Sequence, residues 1–308
     1  MHRAAAFLKR WTLPLAILAG MAGHSFFSRL APLSVWLLMA MLFLTFSGLK
    51  PRDLGFRPLH SFLLAIQLAC SLASWAALAP VSPLLAQSVS LCFFIPTATA
   101  APAITGMLGG SVGFITTYLF LDNLAVVIAA PLIIPLLAQD STGMPFFPFM
   151  LRVFLKVTPT LLLPLFLAWA VRRIAPAVNA AIVRRSGLSY YIWACMILIL
   201  ISSTFDTLFS GGEKNAALEI GLAASGIAVC AALFSIGRAA GRKHRLPIAA
   251  GQSLGQKNLL FGMWLVFQYL DPGVLVSLTA YSIFQNLFNT WQIWKHDAEQ
   301  RGAQAPAR

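Results

Sequence analysis

Ten apolar stretches, each close to the length of a bilayer-crossing helix, follow one another along the 308 residues with short connections between them. They run at roughly 11–28, 31–49, 58–79, 82–107, 112–138, 146–171, 187–208, 215–238, 247–270 and 272–294. A helix rises about 1.5 Å per residue, so about 20 apolar residues span a hydrocarbon core about 30 Å thick. Within that core every backbone N–H and C=O needs a partner, which at this segment length selects helices. The composition agrees. Hydrophobic residues make up 59% of the chain and charged residues 10%, against about 25% charged in a soluble domain. The expected fold class is an all-α membrane protein whose core is the helix bundle itself.

The net charge of +13 would suggest nucleic acid in a soluble protein. Here the basic residues fall in the connections and read as topology, so no nucleic-acid partner is expected. With the N-terminus inside and the loops alternating, the inner segments hold Arg3, Lys9 and Arg10; Lys50, Arg52 and Arg57; Arg172, Arg173, Arg184 and Arg185; Arg238, Arg242, Lys243 and Arg245; and Lys295, Arg301 and Arg308. The outer loops hold Arg29 and Lys214 beside Asp140, Glu213 and Asp271. This positive-inside bias puts both termini in the cytoplasm. The expected location is the cell membrane, the inner one in a Gram-negative cell, with membrane lipid as a partner. The basic N-terminus imitates a signal peptide, but without a convincing small-residue cleavage site it reads as the start of the first helix. Cys70, Cys92, Cys195 and Cys230 lie in apolar stretches, spaced neither as a disulfide framework nor as a zinc site.

Ten spans divide into two sets of five, and an odd number per set inverts the second set relative to the first. The expected organisation is a cytoplasmic segment at 1–10, one five-helix repeat at 11–138, a second at 139–294 and a cytoplasmic tail from 295, mobile from Asp297 onward. Inverted repeats are a common transporter architecture, with interrupted helices at matching positions. The fourth span carries PTATAAP at 96–102, and the ninth, which is the fourth of its half, carries GQSLGQKN at 251–258. Both read as helix breaks.

Two charges lie within spans. Lys257 sits in the second break and Asp122, followed by Asn123, near the centre of the fifth span. A charge at bilayer depth costs roughly 2.5–3.5 kcal/mol on insertion scales and marks function by default. Opposite signs invite pairing, within about 8 Å or through one water and changing during a transport cycle; the alternative is that each is satisfied locally. With them, Thr97, Thr99, Gln252, Ser253, Gln256, Asn258, Gln285 and Asn289 form the candidate substrate or coupling set. Gln67, Thr105, Gln268, Ser282 and Asn286 read either as cavity lining or as hydrogen bonds between helices. Arg152 and Lys156 read as attracting an anion or as snorkelling to headgroups. No metal is expected. The zinc-protease, nucleophile-elbow and P-loop patterns are absent, so neither an enzyme nor an ATP-driven pump is expected.

Three segments carry a likeness. LLMAMLFLTFSGLKPRDL at 37–54 resembles a second helix followed by an LKPxDF turn, PTATAAPAITGMLGG at 96–110 resembles PGGTASNVMTYLARG, and GQKNLLFGMWL at 255–265 resembles GMQNSGLA. The segments they resemble are those of the bile acid–sodium symporter family. The resemblance implies ten helices in an inverted repeat, with broken helices four and nine crossing near two sodium sites. The sodium ligands do not carry over. The family's Ser-Asn falls on Ala101 and Pro102, two helix-five hydroxyls fall on Ile115 and Leu119 with Thr116 and Thr117 nearby, a glutamate falls on Ser253 and a glutamine on Lys257.

The resemblance therefore implies a secondary transporter of a small organic anion, working by alternating access with sodium coupling altered or lost. The coupling ion is then sodium held otherwise, or a proton exchanged at Lys257 with Asp122 as its partner; in a third variant Lys257 is a built-in cation. The alternatives are a non-transporting membrane sensor or scaffold and a cation/proton antiporter.

Overall fold

A computed structural model describes residues 2–49, 54–138, 144–210 and 215–304. The expected turn at 50–53, the outer-loop residues Asp140, Glu213 and Lys214, and Arg308 lie outside the described residues. The regular structure among those described is all-helical apart from one isolated backbone bridge. In chain order the helices are α1 (His2–Ala22), α2 (His24–Phe27), a 3-10 turn (Ser28–Leu33), α3 (Ser34–Gly48), α4 (Pro58–Leu78), α5 (Pro83–Phe94), α6 (Ala101–Met107) and α7 (Val112–Leu137). They continue as α8 (Phe146–Ile174), α9 (Pro176–Arg184), α10 (Leu188–Ser210), α11 (Ala216–Arg242), α12 (Pro247–Gly255), α13 (Leu259–Tyr269) and α14 (Val274–Gln304).

Six helical segments are long and apolar enough to cross a membrane: His24–Gly48, Pro58–Leu78, Val112–Leu137, Phe146–Ile174, Leu188–Phe209 and Ala216–Arg242. This is the make-up of a membrane-embedded, multi-pass chain. Large apolar side chains such as Trp36, Ile128, Phe147 and Trp169 point outward, which a bilayer accommodates and water does not.

Local chemistry sets the helix starts. The side chains of Ser82, Ser111, Asn215 and Asn258 accept the N–H three residues on, at 3.1–3.3 Å, and so cap α5, α7, α11 and α13. Proline stands in the first turn of α4, α5, α6, α9 and α12, where its missing N–H removes no helical bond. Gly109, at φ 71°, closes α6 with Gly110 N–H on the Thr105 carbonyl at 2.8 Å, a left-handed helix stop.

Close approach organises the second half. A Cβ at Gly226, Gly237 or Gly241 would stand 2.2, 2.3 or 2.5 Å from the carbonyl oxygens of Ser277, Ala250 and Leu246. These glycines let α11 lie backbone to backbone against α12 and α14, the small-residue mode of membrane helices.

The structure corrects three expectations. The second break is narrower than 251–258: α12 stays helical through Gly255, and only Gln256, Lys257 and Asn258 leave the helix. Gly251 and Gly255 serve packing instead of unwinding, because a Cβ there would meet Arg238 at 2.7 Å and the Phe234 ring at 2.3 Å. The tail is helical further than expected, since α14 runs through Asp297 to Gln304. Lys295 and Glu299, one turn apart at 3.9 Å, and Gln300 and His296, at 2.9 Å, lie along that extension. Finally, the basic connection at 176–184 is a helix of its own, α9.

Candidate functional site

Helices α5 and α6 are separated by a non-helical piece at 95–100, so that Ala101 and Pro102 of the expected 96–102 break are already helical, and α12 and α13 by Gln256–Asn258. The two interruptions meet. Thr97 and Lys257 form an antiparallel bridge. Ala98 N–H donates to the Gln256 carbonyl at 2.8 Å, and Asn258 N–H donates to the Pro96 carbonyl at 2.7 Å. Each break thus supplies partners for backbone groups that the other has freed, as a buried break requires.

Gln285 of α14 completes this pairing. Its Oε1 accepts the Lys257 N–H at 2.7 Å and its Nε2 reaches the Lys257 carbonyl at 3.5 Å. The Tyr281 hydroxyl donates to the Gly255 carbonyl at 2.7 Å. Side chains one turn apart on α14 therefore act as a brace for the second interruption.

The two charges lie at the centre of this crossing, with Asp122 0% and Lys257 1% exposed. They do not touch. Gln67 of α4 joins them: Lys257 Nζ donates to Gln67 Oε1 at 2.6 Å, and Gln67 Nε2 donates to Asp122 Oδ1 at 2.8 Å and to the Phe94 carbonyl at 3.1 Å. The Tyr118 hydroxyl also donates to Gln67 Oε1, at 3.2 Å. The other carboxylate oxygen, Oδ2, accepts the Thr97 N–H at 2.7 Å and lies 2.8 Å from the Thr97 hydroxyl. That hydroxyl is also 2.7 Å from the Ser253 carbonyl. A single buried network thus joins α4, α7, both interruptions and α14.

The remaining candidates divide. Ser253 contributes its carbonyl, while its hydroxyl has no partner among the described residues. Gln256 contributes its carbonyl and Asn258 its N–H and helix cap, but Gln256 Oε1 and Asn258 Nδ2 are likewise unpartnered there. Gln252 and Asn289 bond to each other at 3.0 Å, and Asn289 is also reached by Gln292 Nε2 at 3.4 Å. Gln292 in turn accepts from Arg238, so this second polar string runs away from the crossing. Asn123 bonds within its own helix, to the Leu119 carbonyl at 2.8 Å. Thr99 is only half-buried and stays outside the network. Lys156 turns to Gln268 at 2.8 Å, on the exposed side of α8.

Gln67 is the residue that sequence reasoning undervalued, together with Tyr118 and Tyr281. The signal for Gln67 was present, as an amide in the apolar helix 58–78, but many membrane helices carry one as interhelical glue.

The residues at the expected sodium positions do not suit that ion, which needs several oxygen ligands. Ala101, Ile115 and Leu119 are fully buried and bring no side-chain oxygen. The nearby Thr117 hydroxyl is engaged, donating to the Gly113 carbonyl at 2.9 Å and accepting the Gly55 N–H at 3.0 Å. The Lys257 ammonium is already part of the crossing. The chain matches no protein-family model and no curated protein.

Proposed function

We propose that the chain is a secondary active transporter that moves a small organic anion across the cell membrane by alternating access. In this reading it has ten membrane segments in two inverted five-helix repeats, with both termini cytoplasmic, as a divergent relative of the bile acid–sodium symporter family. One observation carries the reading: two interrupted helices, fourth and ninth in the expected order, meet in a buried bridge between Thr97 and Lys257. Interruptions at matching places in inverted halves are where transporters of this architecture bind solutes and ions. The cost of two buried ionisable groups argues against a passive scaffold.

An anion is favoured by the sign of the crossing. Lys257 brings a positive charge, and α13 begins there with the positive end of its dipole. Ser253 Oγ and Asn258 Nδ2 are spare hydrogen-bonding atoms for a polar solute. With no side-chain oxygen at Ala101, Ile115 and Leu119 and an ammonium already in place at Lys257, transport in this reading does not require sodium. The Asp122–Gln67–Lys257 chain favours a second reading, a cation/proton exchanger.

Proteoliposomes given a sodium, a potassium or a pH gradient separately, and offered labelled carboxylates and steroid-like acids, test both. Uptake that persists without sodium supports the proposal. A strict sodium requirement overturns the coupling claim, and no flux of any acid overturns the transporter reading. Proton release on adding sodium selects the exchanger.

A further inference from the structure

The Thr97 hydroxyl faces two acceptors with one hydrogen. It lies 2.8 Å from Asp122 Oδ2 and 2.7 Å from the Ser253 carbonyl oxygen, and a hydroxyl donates once. A carboxylate and a carbonyl have no hydrogen to return. Whichever way the Thr97 hydrogen turns, the other contact is left as two bare oxygens at hydrogen-bond distance. The Ser253 carbonyl has no helical substitute, because the amide that a continuing helix would supply, Lys257 N–H, is turned to Gln285. The Thr97 backbone N–H is engaged as well, on Asp122.

We propose that Asp122 is a proton-binding site and that this arrangement is its loaded form. The hydrogen on Oδ2 is donated to Thr97 Oγ1, and the Thr97 hydrogen passes on to the Ser253 carbonyl. Every contact is then satisfied with no movement of heavy atoms. A protonated carboxyl keeps acceptor capacity, so Oδ2 still receives the Thr97 N–H and Oδ1 still receives Gln67. The result is one directed chain from α7 through the first interruption to α12.

Among the described residues, few titratable groups face the site from the elements around it. They are Lys257 in the second interruption, reached through Gln67; Tyr118 on α7; and the thiols Cys70 on α4 and Cys92 on α5. Of the nine Asp and Glu residues in the chain, Asp122 is the one buried among those described. Among the described residues a buried protonated carboxyl therefore has a single candidate.

Unloading transfers the carboxyl hydrogen to water, giving carboxylate and hydronium. The carboxylate then holds the Thr97 hydrogen, because a charged acceptor binds it more strongly than a carbonyl. The Ser253 carbonyl is left without a donor, an unfavourable state in a dry interior. The bound proton thus clamps the first interruption to α12, and its release loosens them. The site stands on the geometry alone; that its proton drives a transport cycle rests on the function proposed above.

Infrared spectroscopy of the purified full-length protein in lipid nanodiscs tests the site without any transported solute. At neutral pH the wild type shows the C=O band of a protonated carboxyl, sensitive to heavy water and lost on alkalinisation. Asp122→Asn removes the band. Thr97→Val moves it to higher frequency, because the carboxyl hydrogen loses its acceptor. A neutral-pH wild-type spectrum without the band overturns the proposal whether or not either variant folds. So does a band that survives Asp122→Asn or stays unmoved in Thr97→Val. If the band behaves as stated but no solute moves, the proton site holds and the transporter reading falls.

Discussion

Thr97 and Lys257 stand opposite each other in an antiparallel bridge, although 160 positions separate them in the numbering of the chain. The flanking bonds, Ala98 N–H to Gln256 and Asn258 N–H to Pro96, are as short as those of a regular sheet. Neither interruption is self-sufficient. A helix broken in a dry interior leaves N–H and C=O groups that each cost free energy if unpaired. Here the partner of each break is the other break, so the crossing forms only when the two halves of the chain come together.

Gln67 is the residue on which the charge arrangement depends most. Its amide receives Lys257 and Tyr118 on one end and serves Asp122 and Phe94 on the other. Gln67→Leu leaves the buried ammonium without that acceptor, a loss on the order of 3–5 kcal/mol. A much lower melting temperature in detergent is expected; Gln67→Glu keeps the acceptor for Lys257 but loses the donor to Asp122 and to the Phe94 carbonyl, so it recovers only part of the loss. Equal melting of Gln67→Leu and wild type would show that Lys257 does not depend on this amide.

Gln285 offers a more local test. Its two-ended contact serves the Lys257 N–H and C=O, the backbone groups at the middle of the second interruption. Gln285→Leu strands a buried N–H and is expected to cost about 1–3 kcal/mol. Gln285→Glu keeps the acceptor at 2.7 Å and loses only the weaker 3.5 Å contact, so it should melt closer to the wild type. The order wild type, Glu, Leu in thermal unfolding is the expected result; a reversal of Glu and Leu would place the main contact on the wrong end of the amide.

What the sequence reveals here is cost, and what it conceals is company. Asp122 and Lys257 are conspicuous because a charge in an apolar stretch is expensive wherever it points. Thr97 and Thr99 are equivalent by that measure, yet one is buried against Asp122 and the other half-exposed, a difference made by the local path of the chain. Gln67 looked ordinary because its partners are brought by α7 and by the second interruption. Gly251 and Gly255 look like helix breakers in one dimension, but the Arg238 and Phe234 side chains that need their missing Cβ atoms belong to another helix. The paired breaks were legible because Pro, Gly and polar residues crowd into two otherwise apolar segments. The exact width of the second break was not, because helix continuity through Gly255 depends on packing against α11.

The close approach of α11 to α12 makes a paired prediction. A Cβ at Gly237 would fall 2.3 Å from the Ala250 carbonyl oxygen, whereas one at Gly221 of the same helix meets nothing within 4 Å. Gly237→Ala must push two backbones apart and is expected to lose about 1–3 kcal/mol, with a lower melting temperature. Gly221→Ala has only the higher helix propensity of alanine to express, up to about 1 kcal/mol in its favour. Similar melting of the two variants would mean that the contact between the helices yields easily.

Lys257→Met separates fold from function. Methionine has an unbranched side chain that can occupy the space of the lysine stem, and Gln67 Oε1 keeps its bond from Tyr118. With Asp122 protonated, removing the ammonium leaves no opposite charge stranded, and exchanging a buried charge for a well-packed apolar side chain is often neutral or stabilising. Thermal unfolding of Lys257→Met at neutral pH is therefore expected within about 1 kcal/mol of the wild type, or above it. Uptake in proteoliposomes is expected to fall to the background of empty vesicles, because the positive charge proposed to attract the anion is gone. A variant that melts far lower makes Lys257 a structural member of the crossing. One that melts normally and transports normally removes Lys257 from the mechanism.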